Sequence, residues 1–170
     1  YIEPRPDLEA RGHRFTTQSD TEVIVHLYEE DGPDCVQKLN GQFAFAIWDN
    51  RRRSLFLARD RVGIRPLFYT QNAGRLIFGS EIKTLLSVPG VHAELDPRAL
   101  DQIFTFWSAL APRTAFREIF ELPPGSWMLA GPDGLRVERY WSLDFGRSGA
   151  AQRSVQDYQD ELQSLLIDAT

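Results

Sequence analysis

The sequence predicts an α+β fold with largely antiparallel sheets, and three observations lead to this class. Short apolar segments occur in pairs separated by turn residues, as in β-hairpins. Helical patterns lie between the hairpins. The segment 42–48 (Gln-Phe-Ala-Phe-Ala-Ile-Trp) is apolar on both faces of an extended chain. We therefore expect segment 42–48 to be buried on both sides, as where two sheets pack together with helices outside.

The clearest helix spans Asp20 to Asp31. Ser19 is a good N-cap residue, and Glu22 three residues later predicts a capping box. Gly32-Pro33 ends this helix, because proline cannot continue it. Further helical segments are predicted at 33–39, 81–86, from Asp96-Pro97 to about 107, and after Ser154.

Six segments pair into three predicted hairpins. Segment 42–48 pairs with 55–58, and segment 67–70 pairs with 75–78 through Asn72-Ala73-Gly74. The third hairpin joins 127–130 to 135–140 across Pro132-Asp133-Gly134, a plausible tight turn.

Composition and charge narrow the classes of function. A net charge of −5 disfavours nucleic acid as a partner, and the basic run Arg51-Arg52-Arg53 is interpreted as a solvated loop. The apolar runs are too short to span a membrane. A single cysteine, Cys35, excludes an internal disulfide and fits a cytoplasmic location. The histidines, His13, His26 and His92, are scattered without metal-ligand spacing, so no metal site is predicted.

The sequence contains none of the common phosphate-binding or nucleophile-elbow motifs. It has no Gly-x-x-x-x-Gly-Lys-Ser/Thr loop, no Gly-x-Gly-x-x-Gly and no Gly-x-Ser-x-Gly. Cys35 lies in a predicted helical turn and is interpreted as a small core residue. The residues alone therefore give no complete catalytic constellation.

Four blocks, taken in order, resemble the glutaminase domain of glutamine-dependent asparagine synthetases, which are class II glutamine amidotransferases. They are 8–22, containing Thr-Gln-Ser-Asp-Thr-Glu (17–22); Leu-Asn-Gly-Gln-Phe-Ala-Phe-Ala-Ile-Trp-Asp (39–49); Ala-Arg-Asp-Arg-Val-Gly-Ile-Arg-Pro-Leu-Phe-Tyr (58–69) with Gly-Ser-Glu-Ile-Lys (79–83); and Leu-Pro-Pro-Gly (122–125) with Arg-Tyr-Trp (139–141). The third block is the most specific, because a long motif in fixed order rarely occurs by chance.

The resemblance implies the αββα four-layer sandwich of the N-terminal nucleophile hydrolases, with two largely antiparallel sheets between helical layers. It also implies a cysteine at the mature N-terminus that attacks the side-chain amide of glutamine. The released ammonia would pass to a second, synthetase domain, where ATP and Mg²⁺ activate aspartate. No cofactor is expected within these 170 residues.

The sequence departs from this family pattern at its start, where Tyr1 stands instead of cysteine. Cys35 does not match the nucleophile position, so no catalytic residue is assigned. We expect 1–145 to be a glutaminase domain that is incomplete at its N-terminus and inactive alone. Residues 146–170 are predicted to be a linker and the first helix leading to an absent synthetase domain.

One functional residue follows from the resemblance. Asp20 matches the aspartate that binds the α-ammonium group of glutamine in relatives, and it is also a first-turn acid that complements the helix dipole. The motif from Arg59 to Tyr69 has two interpretations. In the structural one, Arg59 and Asp60 pair at a strand end and Gly63 supplies a positive φ. In the other, the motif lies at a domain interface or on the ammonia path. Glu81 is interpreted as a helix-start acid.

The predicted function is that of a glutamine-hydrolysing asparagine synthetase, a cytoplasmic ATP-dependent ligase of asparagine biosynthesis. Its expected partners are glutamine and its own synthetase domain, with a homodimer left open. Two alternatives remain: a relative that aminates or cyclises another carboxylate, such as a β-lactam-forming synthetase, and a non-catalytic binding or structural module.

Overall fold

The computed structural model describes residues 4–144 and 154–168. The helices are α1 (Pro4–Ala10), α2 (Asp20–Asp31), a 3₁₀ helix (Gly32–Lys38), α3 (Ile82–Leu86), α4 (Pro97–Phe106) and α5 (Val155–Asp168). The strands are β1 (Ala44–Asp49), β2 (Ser54–Arg59), β3 (Phe68–Asn72), β4 (Arg75–Gly79), β5 (Phe120–Glu121), β6 (Ser126–Gly131) and β7 (Gly134–Arg139). The predicted linker at 146–152 lies outside the described residues.

The strands form two antiparallel sheets. The four-stranded sheet has the order β1-β2-β6-β7, and the three-stranded sheet has the order β4-β3-β5. All three predicted hairpins are confirmed, as β1–β2, β3–β4 and β6–β7. Strand β5 was not predicted, because two residues carry no measurable alternation.

Two apolar clusters separate the layers. The first lies between the four-stranded sheet and the helical layer of α1, α2 and the 3₁₀ helix, and its buried members are Leu8, Val23, Leu27, Tyr28, Cys35, Val36, Leu39, Phe56, Ala58 and Trp127. The second lies between the two sheets and contains Leu57, Leu67, Leu122 and Met128. Helix α3 packs on β3 and β4, with Leu85 fully buried. The αββα order of layers is therefore confirmed.

The strand that is buried on both faces is β2, and the prediction for segment 42–48 was wrong. In β2, Phe56 and Leu57 point to opposite faces and are 0% and 1% exposed. Strand β1 is the outermost strand in the described part of its sheet, and Trp48 is 59% exposed. The apolar pattern of β1 could not distinguish the two strands, because burial depends on the neighbouring strands and layers as well as on the strand's own residues.

Three helices differ from the sequence prediction or add to it. Helix α1 was not predicted, because Pro4 and Pro6 disguise its start. Helix α4 has the predicted Asp96 cap, yet Phe104 and Trp107 on its apolar positions are 85% and 93% exposed. Helix α5 is exposed along its described length.

Over the described residues, no helix combines the length and apolarity needed to cross a membrane.

Candidate functional site

A cleft of about 470 Å³ opens where the N-terminus of α2 meets the start of β1. Its lining comes from four segments, which are Asp20, Thr21 and Ile24; residues 42–45; Arg65 and Pro66; and Ser80 and Glu81. The fold thus brings three of the four sequence blocks, distant along the chain, to one concave surface. Clefts that collect a few polar groups on an apolar lining are typical of small-molecule sites.

Asp20, the one site residue predicted from the sequence, is the first residue of α2 and lies on the cleft. Its Oδ1 atom accepts a hydrogen bond of 2.8 Å from the backbone N–H of Thr21. Its Oδ2 atom has no hydrogen-bond partner among residues 4–144 and 154–168. Ser19 caps the same helix, its hydroxyl oxygen accepting from Thr21 N–H at 3.1 Å. One oxygen of Asp20 therefore supports the helix start while the other can accept a hydrogen bond from a ligand.

The turn that precedes Asp20 is held by Glu22, and the predicted capping box was wrong. The Glu22 carboxylate accepts hydrogen bonds from the backbone N–H groups of Thr16 and Thr17, both at 2.7 Å, and from both threonine hydroxyls. These bonds, that of the Thr17 hydroxyl foremost, lower the pKa of Glu22 to about 2. The backbone N–H of Ser19 is instead bonded to the Thr17 hydroxyl, because the turn folds back over the helix end.

On the far side of the cleft, the loop 60–66 is fixed by a buried arginine. Arg59, 4% exposed, donates hydrogen bonds to the carbonyl oxygens of Gly63, Arg65 and Leu122 at 2.7–2.8 Å. Its guanidinium also forms an ion pair of 2.7 Å with Glu121. One side chain therefore ties both ends of the loop to the β5 region.

Asp60 completes this anchor from within the loop. Its two carboxylate oxygens accept hydrogen bonds of 2.9 Å from the backbone N–H groups of Ile64 and Arg65. Burial opposes ionisation of Asp60, but these backbone hydrogen bonds outweigh it and hold the pKa of the carboxyl below its usual range. The predicted Arg59–Asp60 pair was wrong, because each side chain is occupied by backbone groups. Gly63 has the predicted positive φ, at 73°.

The cleft carries charged groups of both signs. Asp20 and Glu81 offer carboxylates, and Arg65 offers a guanidinium that makes no ion pair within the described ranges. Glu81 occupies the N-cap position of α3 and pairs with Lys83, which agrees with its interpretation as a helix-start acid. A ligand carrying both an ammonium and a carboxylate group would find partners of opposite charge here.

Cys35 lies away from this cleft and cannot serve as its nucleophile. The thiol is fully buried in the first core cluster. Burial, together with Asp31 and Asp34, raises the pKa of the Cys35 thiol to about 12. Because the thiolate is the reactive form, this residue is a core residue, as the sequence predicted.

Two of the three histidines, which are scattered in the sequence, come together in the fold. The Nδ1 atoms of His13 and His26 are 3.0 Å apart, with Glu29 beside them. Thirteen positions separate the two histidines in the sequence, and only the reversal of the chain between α1 and α2 makes them neighbours. No spacing rule for metal ligands covers such a pair.

Comparisons with known proteins agree on one family. The glutamine amidotransferase domain family matches residues 1–141. Asparagine synthetase [glutamine-hydrolyzing] 3 of Bacillus subtilis is 45% identical over 141 residues, covering 82% of this chain and 23% of that protein. Asparagine synthetase [glutamine-hydrolyzing] 1 of the same organism is 36% identical over 170 residues, covering 99% of this chain and 26% of that protein.

Two further similarities complete the comparison. An amidase of Penicillium rubens is 35% identical over 141 residues, covering 82% of this chain and 20% of that protein. The solved structure of glutamine phosphoribosylpyrophosphate amidotransferase from Bacillus subtilis aligns with a TM-score of 0.54 at 22% identity, covering 86% of this chain and 28% of that one. That likeness concerns the fold alone. The chain spans about a quarter of the length of the two synthetases.

Proposed function

This chain belongs to the glutamine amidotransferase domain family, and we propose that its cleft binds glutamine and orients the side-chain amide for hydrolysis. In this proposal Asp20 receives the α-ammonium group of glutamine. The released ammonia supplies the ATP-dependent formation of asparagine from aspartate by a synthetase domain of the same protein, in the cytoplasm. These residues contribute binding and orientation, and bond cleavage is assigned to none of them.

The observation that carries the proposal is the position of Asp20. It lies on the cleft at the start of α2, and its Oδ2 atom is left open by the described residues. An ammonium group at Oδ2 would form a charge-assisted hydrogen bond, which is stronger than a neutral one. Arg65 on the opposite segment gives the α-carboxylate a cationic partner in the same cleft.

The identity of the acceptor rests on the relatives. Two synthetases that form asparagine are similar over most of this chain. The similarity to a protein named an amidase shows that this type of domain also occurs outside the asparagine synthetases, so the second candidate is amide formation on another carboxylate. Supplying the gene product with aspartate or with other carboxylic acids, each with glutamine and ATP, separates the two. Amide formed on aspartate supports the first candidate, and amide formed on another acid alone supports the second.

ATP does not fit the cleft described above. Its lining carries two carboxylates, Asp20 and Glu81, against the single guanidinium of Arg65, and such a site would repel a triphosphate. The proposal therefore places nucleotide chemistry on the synthetase domain and derives no step through it here. A homodimer remains compatible with this arrangement.

The test replaces Asp20 in the gene product that contains these 170 residues. The Asp20→Asn change keeps an oxygen that can accept from Thr21 N–H but removes the charge that the ammonium group needs. Losing one partner of a desolvated charge pair costs about 2–5 kcal/mol. We expect glutamine-dependent kcat/KM to fall by roughly 30-fold to several thousand-fold. Synthesis from free ammonia, which bypasses the cleft, should stay near wild type.

The matched control is Asp34→Asn. Asp34 is also an exposed acid in the first turn of a helix, but it lies outside the cleft. Its replacement should leave both rates unchanged. If Asp20→Asn keeps the wild-type ratio of glutamine-dependent to ammonia-dependent rates, Asp20 is a helix-start acid only and the proposed ammonium site is wrong.

A further inference from the structure

Three side chains with metal-ligating atoms converge where the chain after α1 meets the C-terminal half of α2. His13 Nδ1 lies 3.0 Å from His26 Nδ1, and Glu29 Oε2 lies 2.9 Å from His26 Nδ1 and 3.9 Å from His13 Nδ1. The three ligand atoms thus surround one point. His26 and Glu29 are three residues apart on α2, so they share one face of the helix.

The spacing fits a tetrahedral zinc ion. Zinc bonds of about 2.0–2.1 Å to imidazole nitrogen or carboxylate oxygen place neighbouring ligand atoms about 3.3–3.4 Å apart. The three observed distances, 2.9, 3.0 and 3.9 Å, bracket that value. Small rotations of the side chains would equalise them without moving the backbone. Imidazole and carboxylate groups are also ligands that Zn²⁺ accepts readily.

A second layer of contacts already orients His13. Its Nε2 atom lies 3.1 Å from Glu30 Oε1, and the other oxygen of Glu30 accepts from Arg11 at 3.4 Å. A proton on Nε2, donated to Glu30, leaves the Nδ1 lone pair directed at the convergence point. Metal-ligating histidines commonly donate their second ring N–H to a carboxylate in this way.

The cluster of His13, His26 and Glu29 has fewer protons than its close contacts need as hydrogen bonds. With His13 protonated on Nε2, a neutral His26 has one Nδ1 proton to share between His13 Nδ1 and the Glu29 carboxylate. His13 Nδ1 and Glu29 Oε2 then face each other as two acceptors, 3.9 Å apart. A divalent cation removes this conflict, because both lone pairs and the carboxylate can bind it together.

We propose that His13 Nδ1, His26 Nδ1 and the Glu29 carboxylate form a Zn²⁺ site, with water as the fourth ligand. The histidine side chains are 15% and 18% exposed, so an ion can enter from solvent. The site ties the chain between α1 and α2, which leads to Asp20, onto α2 itself. It is independent of glutamine binding and acts by holding this segment in place.

The experiment measures zinc binding to the gene product that contains these 170 residues, after removal of metal with a chelator. Equilibrium dialysis followed by elemental analysis should show one zinc ion per chain. Binding should weaken by at least 100-fold in His13→Gln and in His26→Gln. The orienting residue should matter less, so Glu30→Gln should weaken binding by about 10- to 100-fold. His92→Gln, which changes the one histidine outside the cluster, should bind zinc as the wild type does.

A second measurement avoids any loss of folding in the variants. In the wild-type chain, the ring ¹⁵N resonances of His13 and His26 should shift at Nδ1 on addition of one equivalent of zinc, while those of His92 stay unchanged. Zinc binding that survives both His13→Gln and His26→Gln would overturn the proposal. So would a zinc titration that leaves both Nδ1 resonances in place.

Discussion

Two segments flank the cleft, and they are held in opposite ways. The loop 60–66, which brings Arg65 and Pro66 to the cleft, is fixed by Arg59 and Asp60, at 4% and 1% exposure. The segment 11–19, which leads to Asp20, is fixed by partly or fully exposed groups, with Glu22 bonded to two threonines and His13 facing His26. Ionisable side chains hold both segments in place, but only Arg59 and Asp60 are shielded from water.

The difference in burial between the two segments predicts which side of the cleft responds to pH and to bound ions. Buried charges that are fully hydrogen-bonded keep their partners, because releasing one leaves an uncompensated charge in a low dielectric. Exposed contacts compete with water, and those made by ionisable groups depend on protonation. We therefore expect the Arg65 side of the cleft to be invariant and the Asp20 side to respond to pH and, through the proposed site, to zinc.

The largest expected effect comes from breaking the buried anchor with Arg59→Met. Methionine fills much of the space but leaves Glu121 and three carbonyl oxygens without their partner. Breaking a buried pair by removing one member costs about 3–5 kcal/mol. Urea unfolding should show the free energy of unfolding reduced by that amount.

The control for Arg59→Met is Arg51→Met, in the exposed turn between β1 and β2. Surface substitutions of this kind usually change stability by less than about 0.5 kcal/mol. If Arg59→Met costs no more than Arg51→Met, the buried side chain does not anchor the loop and the contrast between the two segments fails.

A smaller effect is expected from Asp60→Asn. The amide oxygen can accept from one backbone N–H, but the amide NH₂ group then faces the other donor. Losing a hydrogen bond to a charged group costs about 1.5–3 kcal/mol. Because the pKa of Asp60 is lowered in the fold, its contribution is complete above the unfolded value of about 3.9 and is lost as pH falls below it.

The measurement for Asp60→Asn is urea unfolding at pH 7 and again at low pH. The gap between wild type and Asp60→Asn should be largest at pH 7 and should shrink as the pH falls below about 3.9. A gap that widens in acid would show that the carboxylate is destabilising in the fold.

Much of the fold could be predicted from the sequence, because its local signals are strong. The bounds of α2 and the three hairpins follow from caps, turn residues and alternation. The buried strand could not be identified, since Phe45 in β1 and Phe56 in β2 lie in equally apolar segments. Only the order of strands in the sheet decides which of the two is covered on both faces.

The site was predicted less completely than the fold. The resemblance gave one site residue, Asp20, whose role in binding an ammonium group stays a prediction. It gave neither the partners of Arg59 nor the meeting of His13 with His26. His13 and His26 are 13 positions apart in the sequence, and Arg59 and Glu121 are 62 positions apart. Residue type and local spacing contain no information on such pairs.

The smallest effect is expected from Glu22→Gln, which sharpens the contrast at the exposed segment. The amide cannot accept all four hydrogen bonds from Thr16 and Thr17, so stability should fall. Because these donors are exposed and can turn to water, the fall should be smaller than in Asp60→Asn. The folded-state pKa of Glu22 is about 2, below its usual 4.5. Its contribution is therefore complete above about 4.5 and disappears as the pH approaches 2.

Thermal unfolding of wild type and Glu22→Gln between pH 7 and pH 2 tests this expectation. The difference in midpoint should be constant above pH 5 and should vanish near pH 2, because protonated Glu22 and glutamine then offer the segment similar acceptors. Since the donors are uncharged N–H and O–H groups, added salt should leave the difference unchanged. A difference that salt abolishes would mean that Glu22 acts through a distant cation, and the segment before Asp20 would then be held by charge attraction and not by these hydrogen bonds.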